Sequence, residues 1–400
     1  MSVTASTPAP KECTETVPCT LREFLGYFVW LGTFGFGGPI ALAGYMQKDL
    51  VEQRRWISKQ DYVDGLALAQ LAPGPLAAQL AMYLGYVRGG VFGATMVALA
   101  FILPSFLMVL AISWLYVRFG GLAWMQALFY GIGAAVIGII VRSAYKLAKL
   151  TLGHDIALWA IFAIVMIVTA ITQTEMAGLF FAAGFLSLAL KVPVRRWLTA
   201  GTLSAIGVAA FHRSVEAATE AMTSPTAVRL LAFFAKAGAM VFGSGLAIVP
   251  FLYGGVVNEY HWLTERQFID AVAVAMITPG PVVITVAFIG YLVRGFWGAS
   301  LAAIGMFLPV YLFVVIPSGW FKTYAKDPRL NAFVTGVTAA ATGAIAGACV
   351  VLARRAVVDV PTALIALATW LVLINVKKAP EPLIIAVAGL LGLALFKGRP

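Results

Sequence analysis

The chain has 400 residues, 61% of them hydrophobic and 11% charged, with a net charge of +11. Soluble domains carry about 25% charged residues, so the bilayer has to serve as solvent for most of this protein's exposed area. The 28 Lys and Arg residues are scattered through the loops without the basic groove and interleaved aromatics of a nucleic-acid binder, and no nucleic-acid partner is expected.

Residues 1–21 are polar, contain Pro8, Pro10 and Pro18, and read as a disordered cytosolic tail, not a signal peptide. Cys13 and Cys19 lie in it and Cys349 in an apolar run, a spacing that suits neither a disulfide framework nor zinc. Thirteen apolar runs follow, beginning with 24–47 and 65–87 and ending with 382–396. Backbone polar groups in lipid must be satisfied within their own segment, so the fold class expected is an all-α integral membrane protein.

The chain repeats itself. Phe36-Gly37, Trp56, Asp64 and Pro73-Gly74-Pro75 match Phe242-Gly243, Trp262, Asp270 and Pro279-Gly280-Pro281 at one constant offset. After a one-residue deletion, Gly85-Tyr86, Gly93-Ala94 and Leu103-Pro104 match Gly290-Tyr291, Gly298-Ala299 and Leu308-Pro309. Such a register over successive runs marks a duplication. The organisation expected is a first repeat of about six helices over 22–196, a linker helix and loop over 197–226, and a second repeat over 227–400. The run 197–211 has no counterpart, so if it crosses, the repeats are inverted. The loop charges split nearly evenly between the two faces of a thirteen-span arrangement and only lean toward a cytosolic N-terminus.

Helix breakers fall near the midpoints of four runs: Gly35 to Pro39 in 24–47, Pro73-Gly74-Pro75 in 65–87, Phe242 to Gly245 in 230–258, and Pro279-Gly280-Pro281 in 271–293. Proline removes an N–H and disfavours helix in the residue before it. Broken helices at mid-membrane survive only where buried or facing a wet cavity, and their free ends suit an anion. The substrate site is therefore expected at Gly37, Gly38, Pro39, Pro73, Gly74, Pro75, Gly243, Ser244, Gly245, Pro279, Gly280 and Pro281, with Gln70, Gln79, Thr278 and Thr285 as flanking polar groups and Lys236 as the one cation inside a run. A packing kink, interhelical hydrogen bonding and a snorkelling lysine are the plainer readings of these features. Asp64 and Asp270 open the broken helices and are candidates for coupling or gating. Asp61, after Ser58, and Gln267, after Thr264, suit helix caps; Trp56 and Trp262 suit interfacial anchors. His154, His212 and His261 form no cluster and no phosphate loop occurs, so no catalytic residue, metal or cofactor is expected, and the chain moves a solute instead of transforming one. A homodimer is one arrangement the sequence allows.

The stretches Phe36-Gly37-Gly38-Pro39, Arg54-Arg55-Trp56-Ile57-Ser58, Gln70-Leu71-Ala72-Pro73-Gly74-Pro75 and Gly85-Tyr86, and in the second half Phe242-Gly243-Ser244-Gly245, His261-Trp262-Leu263-Thr264, Thr278-Pro279-Gly280-Pro281 and Ile289-Gly290-Tyr291, resemble the chromate transporter family in its long two-domain form. The resemblance covers about residues 20–396. It implies export of chromate from the bacterial cytoplasm through the inner membrane, resistance to chromate and a link to sulfate, its isostere; transport of sulfate or another oxyanion is the alternative. This chain departs from many family members at Trp30 and at Ala41-Leu42-Ala43, where they carry lysine and histidine or glutamine.

Overall fold

The computed structural model of the chain describes residues 16–36, 38–119, 123–172, 177–191, 225–240, 248–319, 327–376 and 381–396, and within them every regular element is helical. Helix α1 (Leu21–Phe34) starts at a capping box between Thr20 and Glu23 and ends at Gly35. It is followed by α2 (Gly38–Met46) and a π turn over Gln47–Gln53. The Val17 amide, ahead of α1, donates to the Arg55 carbonyl, beyond the π turn, at 2.8 Å. Both ends of run 24–47 thus lie on one face.

Helix α3 (Lys59–Leu71) starts at Ser58, whose hydroxyl accepts from the Asp61 amide at 3.0 Å. Pro73-Gly74-Pro75 separates it from α4 (Leu76–Phe119). A Cβ on Gly65 would meet the Tyr83 ring, whereas in a continuous helix these positions would be about 27 Å apart. Helix α3 and the first arm of α4, 76–88, therefore form a hairpin with the triplet at its tip. At the end of that arm the Arg88 guanidinium donates to the Cys19 carbonyl at 2.6 Å, returning the chain to the face of Val17 and Arg55. The helix then reverses at Gly89 and Gly90, the latter at φ 58°, a conformation open to glycine. A Cβ on Gly85 would lie 2.7 Å from the Gly93 carbonyl oxygen, so the second arm, 91–119, packs closely on the first.

Helices α5 (Ala123–Leu152), α6 (Ile156–Thr172) and α7 (Ala177–Lys191) complete the first half. The second half repeats each step: α8 (Pro225–Met240), α9 (Ile248–Tyr253) with a π turn over Gly254–Glu259, α10 (Glu265–Ile277) with a capping box between Thr264 and Gln267, a 3-10 turn over Val282–Ile284, and α11 (Thr285–Ser318), bent at Arg294 and Gly295. Helices α12 (Pro328–Ala356), α13 (Val360–Asn375) and α14 (Glu381–Leu395) close the chain.

The repeats are inverted. Thr95, early on the second arm of α4, shares a 2.7 Å hydrogen bond with Tyr311, late on the second arm of α11. The end of α11, at Gly319, lies beside the Tyr86 hydroxyl. Equivalent helices therefore run antiparallel, the arrangement of inverted-repeat transporters. The halves also exchange their last helices: Gly131 of α5 packs on the Ala388 carbonyl of α14, and its equivalent Gly336 of α12 packs on the Ala183 carbonyl of α7. Gly131 and Gly336 allow these backbone approaches, as small residues do between membrane helices.

The hairpins correct the thirteen-span reading. Runs 24–47 and 65–87 are not broken spans; each enters and leaves by one face. Run 271–293 does the same, because Asp270 bonds Tyr116 at the far end of α4, which the antiparallel α11 leaves at Gly295. Each hairpin arm has about 13 helical residues, or about 20 Å, short of the roughly 30 Å hydrocarbon core. Arg54 and Arg55 consequently share a face with Arg22 and Arg88, whereas a thirteen-span arrangement would put the two pairs on opposite faces. The second arms of α4 and α11 turn Leu99, Leu103 and Leu107, and Ile304, Leu308 and Leu312, outward one helical turn apart, as a lipid-facing surface requires. Residues 1–15 of the tail, and nearly all of the 197–226 linker, lie outside the described residues.

Candidate functional site

The hairpin tip of the second half meets the broken helix of the first. The Gly280 amide donates to the Gly35 carbonyl at 2.9 Å, and the Ser105 hydroxyl donates to the Gly32 carbonyl at 3.1 Å. These two bonds satisfy carbonyls that the end of α1 leaves without intrahelical partners. Gly280 sits at φ 96°, and a Cβ there would strike the Ser105 hydroxyl. Both the backbone angle and the close approach call for glycine.

The first Pro-Gly-Pro tip is closed differently. Gln79 is fully buried, and its Nε2 donates to the carbonyls of Ala72 at 3.3 Å and Pro73 at 2.8 Å. Among the described residues its Oε1 has no hydrogen-bond partner. Gly74, at φ 141°, would place a Cβ 2.7 Å from Gln79 Nε2 and 3.0 Å from Val310 Cγ1. Val310 occupies in α11 the position that Ser105 occupies in α4, one residue after the repeated Leu-Pro pair. Each Pro-Gly-Pro tip thus rests on the central helix of the other repeat, against a hydroxyl in one case and a methyl in the other. Ser105 was not singled out from the sequence. Its one signal is that the second copy has valine at the same register.

The remaining candidates are unevenly placed. Thr278 and Thr285 are buried, and their hydroxyls donate to the Val274 and Val282 carbonyls at 2.6 and 2.7 Å. Gly38 lies at φ 75°, and Pro39 follows it half-buried. Pro73 is half-buried, whereas Pro75, Pro279 and Pro281 are buried. Gln70 is exposed on α3. Lys236 is half-buried on α8 and, among the described residues, makes neither an ion pair nor a hydrogen bond. Gly37, Gly243, Ser244 and Gly245 lie outside the described residues.

The two acidic candidates differ. Asp64 is half-buried and accepts from Gln60 at 2.8 Å. Asp270 is only 5% exposed and accepts from the Tyr116 hydroxyl at 2.7 Å. It lines a cleft of about 1130 Å³ that also takes in Glu265, Arg266, Phe129, Tyr130 and Asp359.

The sequence pattern of the chromate transporter family matches residues 22–188 and again 228–393. The chain belongs to the chromate transporter family. It is 58% identical over 400 residues to a chromate transport protein of Cupriavidus metallidurans, covering 98% of each chain. It is 54% identical over 379 residues to a probable chromate transport protein of Synechococcus elongatus, covering 94% of this chain and 96% of the relative. A chromate transport protein of Pseudomonas aeruginosa is 33% identical over 359 residues, with 87% of this chain and 85% of that one covered. No solved structure matches the chain. The two family matches fall on the two antiparallel halves, so each copy of the family unit contributes one Pro-Gly-Pro tip.

Proposed function

We propose that the chain is a secondary transporter that exports chromate from the bacterial cytoplasm across the inner membrane and so confers resistance to it. The observation that carries this reading is the 58% identity, along 98% of the chain, to a chromate transport protein. The inverted repeats and their buried tips supply the kind of scaffold that alternating access uses.

In this reading the repeats extend over 22–196 and 227–400, joined by the linker 197–226. The solute site lies among Gly37, Gly38, Pro39, Pro73 to Pro75, Gly243 to Gly245 and Pro279 to Pro281, with Gln70, Gln79, Thr278, Thr285 and Lys236 nearby. Parting of the Gly280 amide from the Gly35 carbonyl exposes a backbone donor, and a tetrahedral dianion takes the carbonyl's place. Donors aimed at an anion in a site shielded from water bind it strongly.

The face that holds the N-terminal end carries Arg22, Lys48, Arg54, Arg55, Lys59, Arg88, Lys149, Lys191 and Arg329. Among the described residues the opposite face carries fewer: Arg118, Arg229, Arg266, Arg294 and Arg354. The more basic face is the cytoplasmic one by the positive-inside rule. An interior-negative potential then favours the exit of an anion.

The test is flux of chromate and of sulfate in oriented vesicles holding the full chain, with growth on chromate with and without the gene. Chromate taken up at the N-terminal face and released at the opposite one, with raised resistance, is the expected result. Sulfate flux with unchanged resistance would replace chromate by its isostere, and no flux of either anion would overturn the reading.

A further inference from the structure

The cleft at the face opposite the N-terminal end has the wrong charge for an anion route. Its ionic groups are Glu265, Arg266, Asp270 and Asp359, three acids against one base. Asp359 is well held: the Tyr130 hydroxyl donates to both its oxygens, at 2.7 and 2.6 Å, and the carboxylate caps α13 through the Thr362 amide at 3.0 Å. Asp270 is held by far less. Its Oδ2 accepts from Tyr116, and among the described residues no hydrogen bond reaches its Oδ1, although the residue is 5% exposed and lines the cleft. A buried carboxyl in a membrane protein, held by one hydrogen bond with Arg266 as its nearby countercharge, marks a functional site by default.

Helix α10 links this group to the transport tip. Asp270 sits about 12 Å along the helix from Thr278, where the tip that bonds Gly35 begins. Among the described residues the arrangement is seen in this repeat. Asp64 is half-buried beside Gln60, and the first arm's counterpart of Tyr116 is Phe321 in the sequence, which has no hydroxyl.

We infer that Asp270 is a proton-binding site that couples proton movement to anion transport, loaded from this cleft at Oδ1 while Tyr116 keeps its bond to Oδ2. The elements around it bring Tyr116 from α4, Tyr130 from α5, Glu265 and Arg266 from α10 itself and Asp359 from α13; α11, α12 and α14 bring the apolar Phe288, Ala356 and Phe396. Protonation neutralises the acceptor and weakens its bond to Tyr116 without breaking it, so the helix and its tip gain a second position. A switch of this kind needs a local charge change acting on an element with two arrangements.

This inference rests on the chromate reading, and one experiment separates the two. Full-length protein is reconstituted in vesicles with the membrane potential clamped at zero and a pH-sensitive dye inside. Chromate exchange without a gradient and chromate flux under a pH gradient are both recorded. Wild type should show both, with dye-reported proton movement. Asp270→Asn keeps an acceptor for Tyr116 but cannot titrate; it should retain exchange and lose the pH-gradient response. Asp270→Glu should retain both. The inference is overturned if wild-type flux ignores the pH gradient, if Asp270→Asn still responds to it, or if Asp270→Asn loses exchange as well, which marks a merely structural role. Absence of wild-type exchange overturns the chromate reading itself.

Discussion

Gly280 and Gly35 are joined amide to carbonyl at 2.9 Å, tip to tip, although their hairpins enter from opposite faces of the protein. Replacing Gly280 by alanine meets two obstacles there. A non-glycine residue at φ 96° costs about 1–3 kcal/mol, and the new methyl strikes Ser105. Gly280→Ala should therefore lower the unfolding temperature and reduce flux, and Gly280→Leu should do so more severely. The double variant Gly280→Ala, Ser105→Gly removes the collision but not the backbone strain, so it should recover part of the loss. Gly178→Ala is the control, since nothing lies within 4 Å of a Cβ there. Thermal unfolding in detergent and vesicle flux check this together; full flux in Gly280→Ala would show that the tip does not depend on the close approach.

Gln79 closes the other tip by donating to two backbone carbonyls in a fully buried setting. Gln79→Leu leaves both without a donor, and each buried unsatisfied group costs about 1–3 kcal/mol. Gln79→Glu should be the worse change, because an ionised carboxylate would face two carbonyl oxygens. The expected order of thermal stability is wild type, then leucine, then glutamate. A glutamate variant as stable as wild type would mean that Gln79 does not hold the tip.

The hairpins make a prediction about sidedness that separates them from simple spans. In a background without native cysteines, single cysteines at Arg55 and Arg88 should both react with a membrane-impermeant maleimide added from one side, the side that labels a cysteine at Arg22. If run 24–47 crossed the membrane once, the reagent would reach positions 22 and 55 from opposite sides.

Why the sequence showed the breaks but not the reversals follows from what each depends on. Pro73-Gly74-Pro75 and Pro279-Gly280-Pro281 are local: any such triplet ends a helix, and the constant register makes the duplication legible. The direction the chain takes after the break is set by distant partners. Gly65 admits the Tyr83 ring, Gly85 admits the Gly93 carbonyl, and Arg88 reaches back to Cys19. None of these pairs shares a periodic pattern. Ser105 was hidden for a related reason. It is one hydroxyl on an apolar helix, and its partner is a backbone carbonyl three helices earlier in the chain. The caps at Ser58 and Thr264, by contrast, depend on residues three apart and were legible in full.

Lys236 offers the sharpest test of where the anion sits. It lies half-buried on α8, without an ion pair among the described residues, and its counterpart in the first repeat, Trp30, is 49% exposed. A lysine that merely snorkels to the headgroups contributes little to transport, and alanine there should leave flux unchanged. A lysine that draws the anion toward the tips acts through its charge, and in a poorly solvated site that attraction is large. Lys236→Ala should then raise the chromate concentration needed for half-maximal flux. Lys236→Arg should largely restore it, and Lys236→Gln should not. The three variants should have similar thermal stability, since no partner is left unpaired by the change. Equal flux in alanine, glutamine and wild type would assign Lys236 to the membrane interface and leave the backbone amides of the tips as the anion's principal donors.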